Sequence, residues 1–267
     1  MRTRAAWAAI AVLACAGSLR AQAADSAPAP HDPRAVQPER PTVATHAFTV
    51  APGWVELEAG VEHDQLDGAH ALLTPTVLKF GLAPRVQLEL LESFVHLSGT
   101  TPDYSGIGDL GAALKWRIAD DAPVLGHFAI QPSLKLPAGS ARHGTGTGTT
   151  DVGLLLISSH LIGAYEVDVN AGYVRRSGDG TQAPRNATLW TVSGGGPVAG
   201  ALGWVMEVYG YPRTTGPAGE NGIVALLTGP TVQLRSWLVL DAGAIFPLPG
   251  AQPHALYAGV TWNIGRL

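Results

Sequence analysis

The chain has 267 residues, of which 46% are apolar and only 14% charged, with a formal net charge of −4. Soluble domains carry about a quarter charged residues, so the composition points away from an ordinary water-facing surface. No stretch has the basic clustering that a phosphate backbone demands, which excludes nucleic acid as a partner. One cysteine, Cys15, supports neither a disulfide framework nor a thiol centre.

The N-terminus reads as an export signal. Arg2 and Arg4 form a positive n-region, Ala5 to Leu19 an apolar core, and Ala21-Gln22-Ala23 a small-x-small cleavage site. Residues 1–23 are therefore predicted to be a cleaved signal peptide, since the apolar run falls short of the roughly 20 residues of a membrane-spanning helix. That core continues past Cys15, which disfavours this residue as a lipid acceptor. Residues 24–52, with Pro28, Pro30, Pro33, Pro38 and Pro41, are predicted to be a mobile or extended periplasmic leader. No later stretch is apolar enough for a spanning helix, so a membrane form must be a barrel.

From Gly53 the pattern changes to strict alternation. In Gly53 to Glu62, Val55, Leu57, Ala59 and Val61 share one parity and Glu56, Glu58 and Glu62 the other, which gives a strand with one apolar and one acidic face. Such segments recur about twelve times, with cores near 53–62, 71–81, 85–95, 107–117, 126–136, 151–160, 164–174, 188–196, 202–211, 222–233, 237–246 and 255–264. Tight connections at Leu82-Ala83-Pro84, Leu161-Ile162-Gly163 and Leu234-Arg235-Ser236 alternate with long ones at Leu97 to Gly106, Pro137 to Thr150, Arg175 to Ala187, Pro212 to Asn221 and Pro247 to His254. Outer-membrane barrels alternate short periplasmic turns with long external loops in this way. The connection Ala119 to Leu125 is longer than a periplasmic turn needs, and Asp151 to His160, apolar on both parities, is hard to phase.

The predicted fold is thus all-β: an antiparallel up-and-down transmembrane β-barrel of about 12 strands spanning residues 53–267. Trp116, Trp204 and Trp262 form an aromatic girdle on the periplasmic side. The polar parity supplies candidates for the lumen lining: Glu56, Glu58, Lys79, Glu89, Asp109, Lys115, Arg117 and Lys135. Uncompensated carboxylates there would favour cations, whereas Glu paired with Lys or Arg would seal or brace the interior, and the sequence leaves both readings open.

Three other constellations contain residue types used in binding or catalysis. Gly144-Thr145-Gly146-Thr147-Gly148 lacks the following helix that a phosphate loop needs, and reads as a mobile external loop. His63-Asp64-Gln65-Leu66-Asp67-Gly68-Ala69-His70 falls in a predicted external loop, where His and Asp are ordinarily solvated rather than metal-bound. Ser158, Ser159 and His160 are consecutive, but no GxSxG elbow exists. No catalytic residue, metal or cofactor is predicted, and the chain is not read as an enzyme.

Several segments, in order, resemble the outer-membrane barrels of the MetA-pathway of phenol degradation family, often labelled simply transporter. They are Pro38-Glu39-Arg40-Pro41 with Phe48 to Gly53, Leu73-Thr74-Pro75-Thr76 with Lys79 to Leu82, Gly106 to Leu110 with Lys115-Trp116, Lys135 to Gly139, and Gly146 to Gly153. The resemblance covers roughly residues 38–175; the C-terminal strand departs from it by lacking a terminal aromatic residue. It implies a channel or transporter in the cell outer membrane for small, hydrophobic or aromatic solutes, with lipid and the barrel-insertion machinery as further partners. A non-conducting structural or adhesive barrel and a secreted soluble β protein are the alternatives.

Overall fold

The computed structural model describes residues 32–99, 102–248 and 254–267; the predicted signal peptide and Cys15 lie outside them. The described residues form thirteen strands: β1 (Trp54–Leu66), β2 (Ala69–Ala83), β3 (Val86–Ser98), β4 (Tyr104–Ile107), β5 (Leu110–Ala122), β6 (Gly126–Leu136), β7 (Asp151–Ile162), β8 (Tyr165–Arg176), β9 (Asn186–Ala199), β10 (Leu202–Tyr211), β11 (Ile223–Arg235), β12 (Leu238–Pro247) and β13 (His254–Arg266). Successive strands pair antiparallel except β4 and β5, which both pair with β3, and β1 pairs with both β2 and β13. The sheet therefore closes on itself, a barrel of twelve staves with one extra short strand.

The extra strand comes from a break in one stave. The segment predicted as one strand over 107–117 divides at Gly108-Asp109, because the β3 ladder runs from Val86↔Trp116 to Leu91↔Gly111 and resumes only at Phe94↔Ile107. One more residue stands on the β4–β5 side of that gap than on the β3 side, as in a β-bulge.

The alternation sorts the faces. Leu90, Leu114, Leu134, Val169, Val192, Met206 and Leu240 are exposed on the outside, while the opposite parity carries the buried Glu56, Lys79, Gln87, Lys115, Asn170 and Glu207. In the strand that resists phasing by sequence, Val152, Leu154 and Leu156 point outward, and Asp151, Ile157 and Ser159 are buried inside.

Three local expectations change. The predicted external loop His63 to His70 is strand up to Leu66, closed by a two-residue turn in which Asp67 (φ 49°) and Gly68 (φ 83°) are both left-handed. An Asp-Gly pair with two positive φ values matches the twist of the flanking strands, and this turn chemistry outweighs the polarity that suggested a loop. The connection expected over Ala119 to Leu125 is mostly strand, since β5 continues to Ala122 through two register shifts. The stretch Gly144 to Gly148, read as a mobile external loop, follows a short 3-10 turn at Ala141–His143 and has Thr145 buried, as is the neighbouring Thr149.

The leader brings the largest difference. Residues 32–53 are extended, as one alternative had it, but they run inside the barrel and not free of it. Val36, Ala44, Ala47 and Val50 are buried there, Ala47 completely.

Candidate functional site

An extended segment without a neighbouring strand leaves its backbone N–H groups unpaired, and burying them unpaired is costly. Inward-facing side chains of the barrel supply the missing acceptors. The leader enters beside the β11–β12 turn, where Val36 N–H donates to Ser236 O (2.9 Å) and the Arg34 guanidinium lies 4.4 Å over the Trp237 ring. It then follows the inner wall. Gln37 N–H donates to Glu56 Oε2 (2.8 Å) and Glu39 N–H to Glu58 Oε1 (2.7 Å), both on β1. Val43 and Ala44 N–H groups donate to the two carboxylate oxygens of Glu207 on β10, each at 2.7 Å. On β8, Asn170 accepts from Thr45 N–H (2.8 Å) and returns a bond to Thr45 O (2.9 Å). Ala47 N–H reaches Ser159 Oγ on β7 (2.8 Å) and Val50 N–H reaches Gln87 Oε1 on β3 (2.7 Å), after which the chain turns into β1.

Charge locks this belt in place. Lys79 Nζ donates to Glu58 Oε1 (2.6 Å) and to Gln37 O (2.6 Å), and lies 2.8 Å from Glu56 Oε1. Lys115 Nζ holds Thr45 Oγ1 (2.8 Å), His46 O (3.0 Å) and the Glu39 carboxylate. Both lysines are fully buried. Buried ammonium groups are tolerated only when paired and hydrogen-bonded, and here the partners come partly from the barrel and partly from the leader. Arg40 lies 3.3 Å from Asp241 on β12, in a notch made by Gly60 and Gly259: a Cβ at either would come within 2.4 or 2.3 Å of its guanidinium. Burial, and then the nearby Lys79 ammonium, lower the His46 imidazole to about 3, so this leader histidine is neutral where it sits.

The lumen candidates divide into three groups. Glu56, Glu58, Lys79, Glu89 and Lys115 are buried in the seal between barrel and leader. Arg117 lies at the short-turn end, its Nε 2.9 Å from Asp120 and its guanidinium 5.5 Å over the Phe48 ring. Asp109 and Lys135, 2.6 Å apart, belong to the long-loop end, where Lys135 also lies 3.4 Å from Asp151 and Asp151 3.3 Å from Arg176. The paired arrangement, and not a ring of free carboxylates, describes these groups. Trp116, Trp204 and Trp262 are all exposed on the outer face, and Trp204 Nε1 donates to Thr228 Oγ1 (2.8 Å).

Sequence reasoning puts Gln87 and Glu207 on the polar parity, misses Ser159 and Asn170, and recognises none of the four as an acceptor for the leader. Each is a polar residue on the inward parity, but nothing in the strands says that their common partner is the leader.

The interior holds open space among the described residues. One space, of about 490 Å³, lies between the leader and the β8–β10 wall and is bordered by Arg40, Thr42, Glu166, Asp168 and Ser193. Another, of about 590 Å³, lies towards the long loops. Val77, Leu91, Leu155, Val174, Leu189 and Tyr211 give the latter an apolar and aromatic wall, and Gln131, Lys135, Asp151 and Arg176 contribute its polar groups. Ser158 and His160, 3.1 Å apart, are separate from both spaces, with Ser158 Oγ donating to Leu125 O (2.8 Å). His63 and His70 stack at 5.3 Å, and among the described residues no group of three or more His, Asp or Glu is placed to hold a metal ion.

No protein-family model and no curated protein matches the chain. Solved structures do. The fold is similar to the COG4313 outer membrane channel from Pseudomonas putida F1, with a TM-score of 0.65 and 14% identity over 81% of this chain and 97% of that one. It is also similar to the KdgM porin (TM-score 0.50, 10% identity, 78% and 99% covered) and the NanC porin (TM-score 0.50, 9% identity, 78% and 100% covered). At these identities the likeness is one of architecture: a closed antiparallel barrel of the outer-membrane type.

Proposed function

We propose that this chain is an outer-membrane channel for small apolar or aromatic solutes, with a lumen held shut by its own leader and no chemistry of its own. The observation that carries this reading is the 590 Å³ space behind the long loops. Its wall of Val77, Leu91, Leu155, Val174, Leu189 and Tyr211 suits an apolar ring, and its few polar groups suit a single hydroxyl or amine. The exposed leucines, valines and tryptophans outside are the surface a bilayer covers. Towards the short turns, buried ion pairs and the leader block the axis, so a solute advances only when the leader yields or by another exit.

The test is entry of the apolar dye N-phenyl-1-naphthylamine, which an intact lipopolysaccharide leaflet excludes, into cells carrying the chain. Faster entry than into cells without it supports the channel; equal rates refute it. A second reading, a non-conducting structural barrel, is favoured by the completeness of the leader seal. It predicts that equal rate, together with normal barrel assembly.

A further inference from the structure

We propose that the outer face of the barrel, at its long-loop end, carries a binding site for one transition-metal ion of the class that imidazole prefers, Zn²⁺, Cu²⁺ or Ni²⁺, formed by His63 on β1 and His70 on β2.

The hairpin between these strands makes the site. On β1 the buried Glu56 and Glu58 mark the inward parity and the exposed Val61 the outward one. His63 follows Val61 by two residues, so it faces outward. Across the hairpin His63 stands opposite Leu72 and Gln65 opposite His70, which puts His70 on the same outer face. The tight turn at Asp67-Gly68 holds this register. It leaves the two histidines as diagonal neighbours, a spacing that ring side chains can bridge. Their imidazoles lie parallel within 12°, with centroids 5.3 Å apart. Neither ring takes part in the leader seal or borders the interior spaces.

That separation suits a shared ion. A ring nitrogen binds Zn²⁺ at about 2.0–2.1 Å, which puts the ring centroid about 3.2 Å from the metal, and two such ligands at a tetrahedral angle have centroids about 5.2 Å apart. A tilt of the parallel rings then aims one nitrogen of each at a common point, and the backbone keeps its place. A second observation concerns His70 alone: its Nδ1 is buried and has no hydrogen-bond partner among the described residues. Buried polar atoms ordinarily have one, and a metal ion supplies it.

The donors set the class of ion. Ca²⁺ and Mg²⁺ take oxygen ligands, and the carboxylates nearest in sequence, Glu62 and Asp64, share the inward parity of Glu56 and Glu58. Two imidazoles select Zn²⁺, Cu²⁺ or Ni²⁺ instead. Water fills the remaining positions, so the ion sits at the surface, exchanges with solvent and ties β1 to β2.

The test is calorimetric titration of the folded, untagged full barrel in detergent with ZnCl₂. One Zn²⁺ should bind per chain, and excess MgCl₂ should not displace it. His63→Ala and His70→Ala, each verified as a barrel by heat-modifiable migration, should weaken binding about tenfold or more, since even an outer partner of a ligand is worth that much. His96→Ala and His254→Ala, which alter the same end of β3 and β13, should bind as the native chain does. With Cu²⁺, electron paramagnetic resonance should show coupling to two imidazole nitrogens in the native chain and to one in either of the first two variants. Absence of Zn²⁺ binding by the native chain, or binding unchanged in both His63→Ala and His70→Ala, overturns the site. Loss of binding in His96→Ala or His254→Ala puts the ion elsewhere on the rim and overturns it as well.

Discussion

Glu207→Leu tests whether the leader is held by the lumen as described. The native carboxylate accepts the Val43 and Ala44 N–H groups, each at 2.7 Å, and is itself almost fully buried. Leucine keeps most of the volume and offers no acceptor, so two buried N–H groups lose their partners. Each costs about 1–3 kcal/mol, a combined penalty of about 2–6 kcal/mol against docking. Even the lower figure shifts the docked-to-released ratio roughly 30-fold. Single-channel recording in planar bilayers should show openings in the variant that are rare in the native protein. Hydrogen exchange at residues 37–50 should accelerate in parallel, while the barrel amides stay protected. Glu207→Gln, which keeps one oxygen acceptor, should fall between the two. A Glu207→Leu protein with native conductance and native protection of the leader would refute the belt.

Deleting residues 32–52 should leave a barrel whose lumen is cation-selective, because along the wall the leader vacates Glu56, Glu58, Glu89, Glu207 and Asp241 outnumber Lys79 and Lys115; reversal potentials in a salt gradient measure this, and anion selectivity would contradict the inward phasing. Acid should loosen the leader. His46 has a docked value of about 3 against 6.5 when free, so docking is fully stable above 6.5 and weakens as pH falls from there towards 3. At pH 5 the loss is about 2 kcal/mol, seen as more frequent openings, and the difference between native and His46→Gln chains isolates it from the neighbouring Lys79, Lys115 and carboxylates. No difference between the two from pH 7 to 5 would remove His46 from the account.

Most of the barrel was legible in the chain because each stave carries its own instruction. A strand with Val55, Leu57, Ala59 and Val61 on one side and glutamates on the other needs no knowledge of its neighbours to be recognised, and turn residues mark its ends. Errors fell where local signals compete. Asp67-Gly68 was hidden in a polar run, and the break at Gly108-Asp109 answers to a loop that arrives thirty residues later. Glu56, Glu58, Lys79, Glu89 and Lys115 were selected as inward-facing by parity, but their partners were not legible.

The sequence by itself determined the alternation, the approximate number of staves and the side on which charge would collect, since these follow from a period of two along each strand. The tertiary structure alone decided what that charge does. Lys115 meets Glu39 across 76 residues and Glu207 meets Val43 across 164, because closing the sheet brings distant strands around one axis. A Pro-rich segment with no partner of its own then becomes the belt that satisfies them.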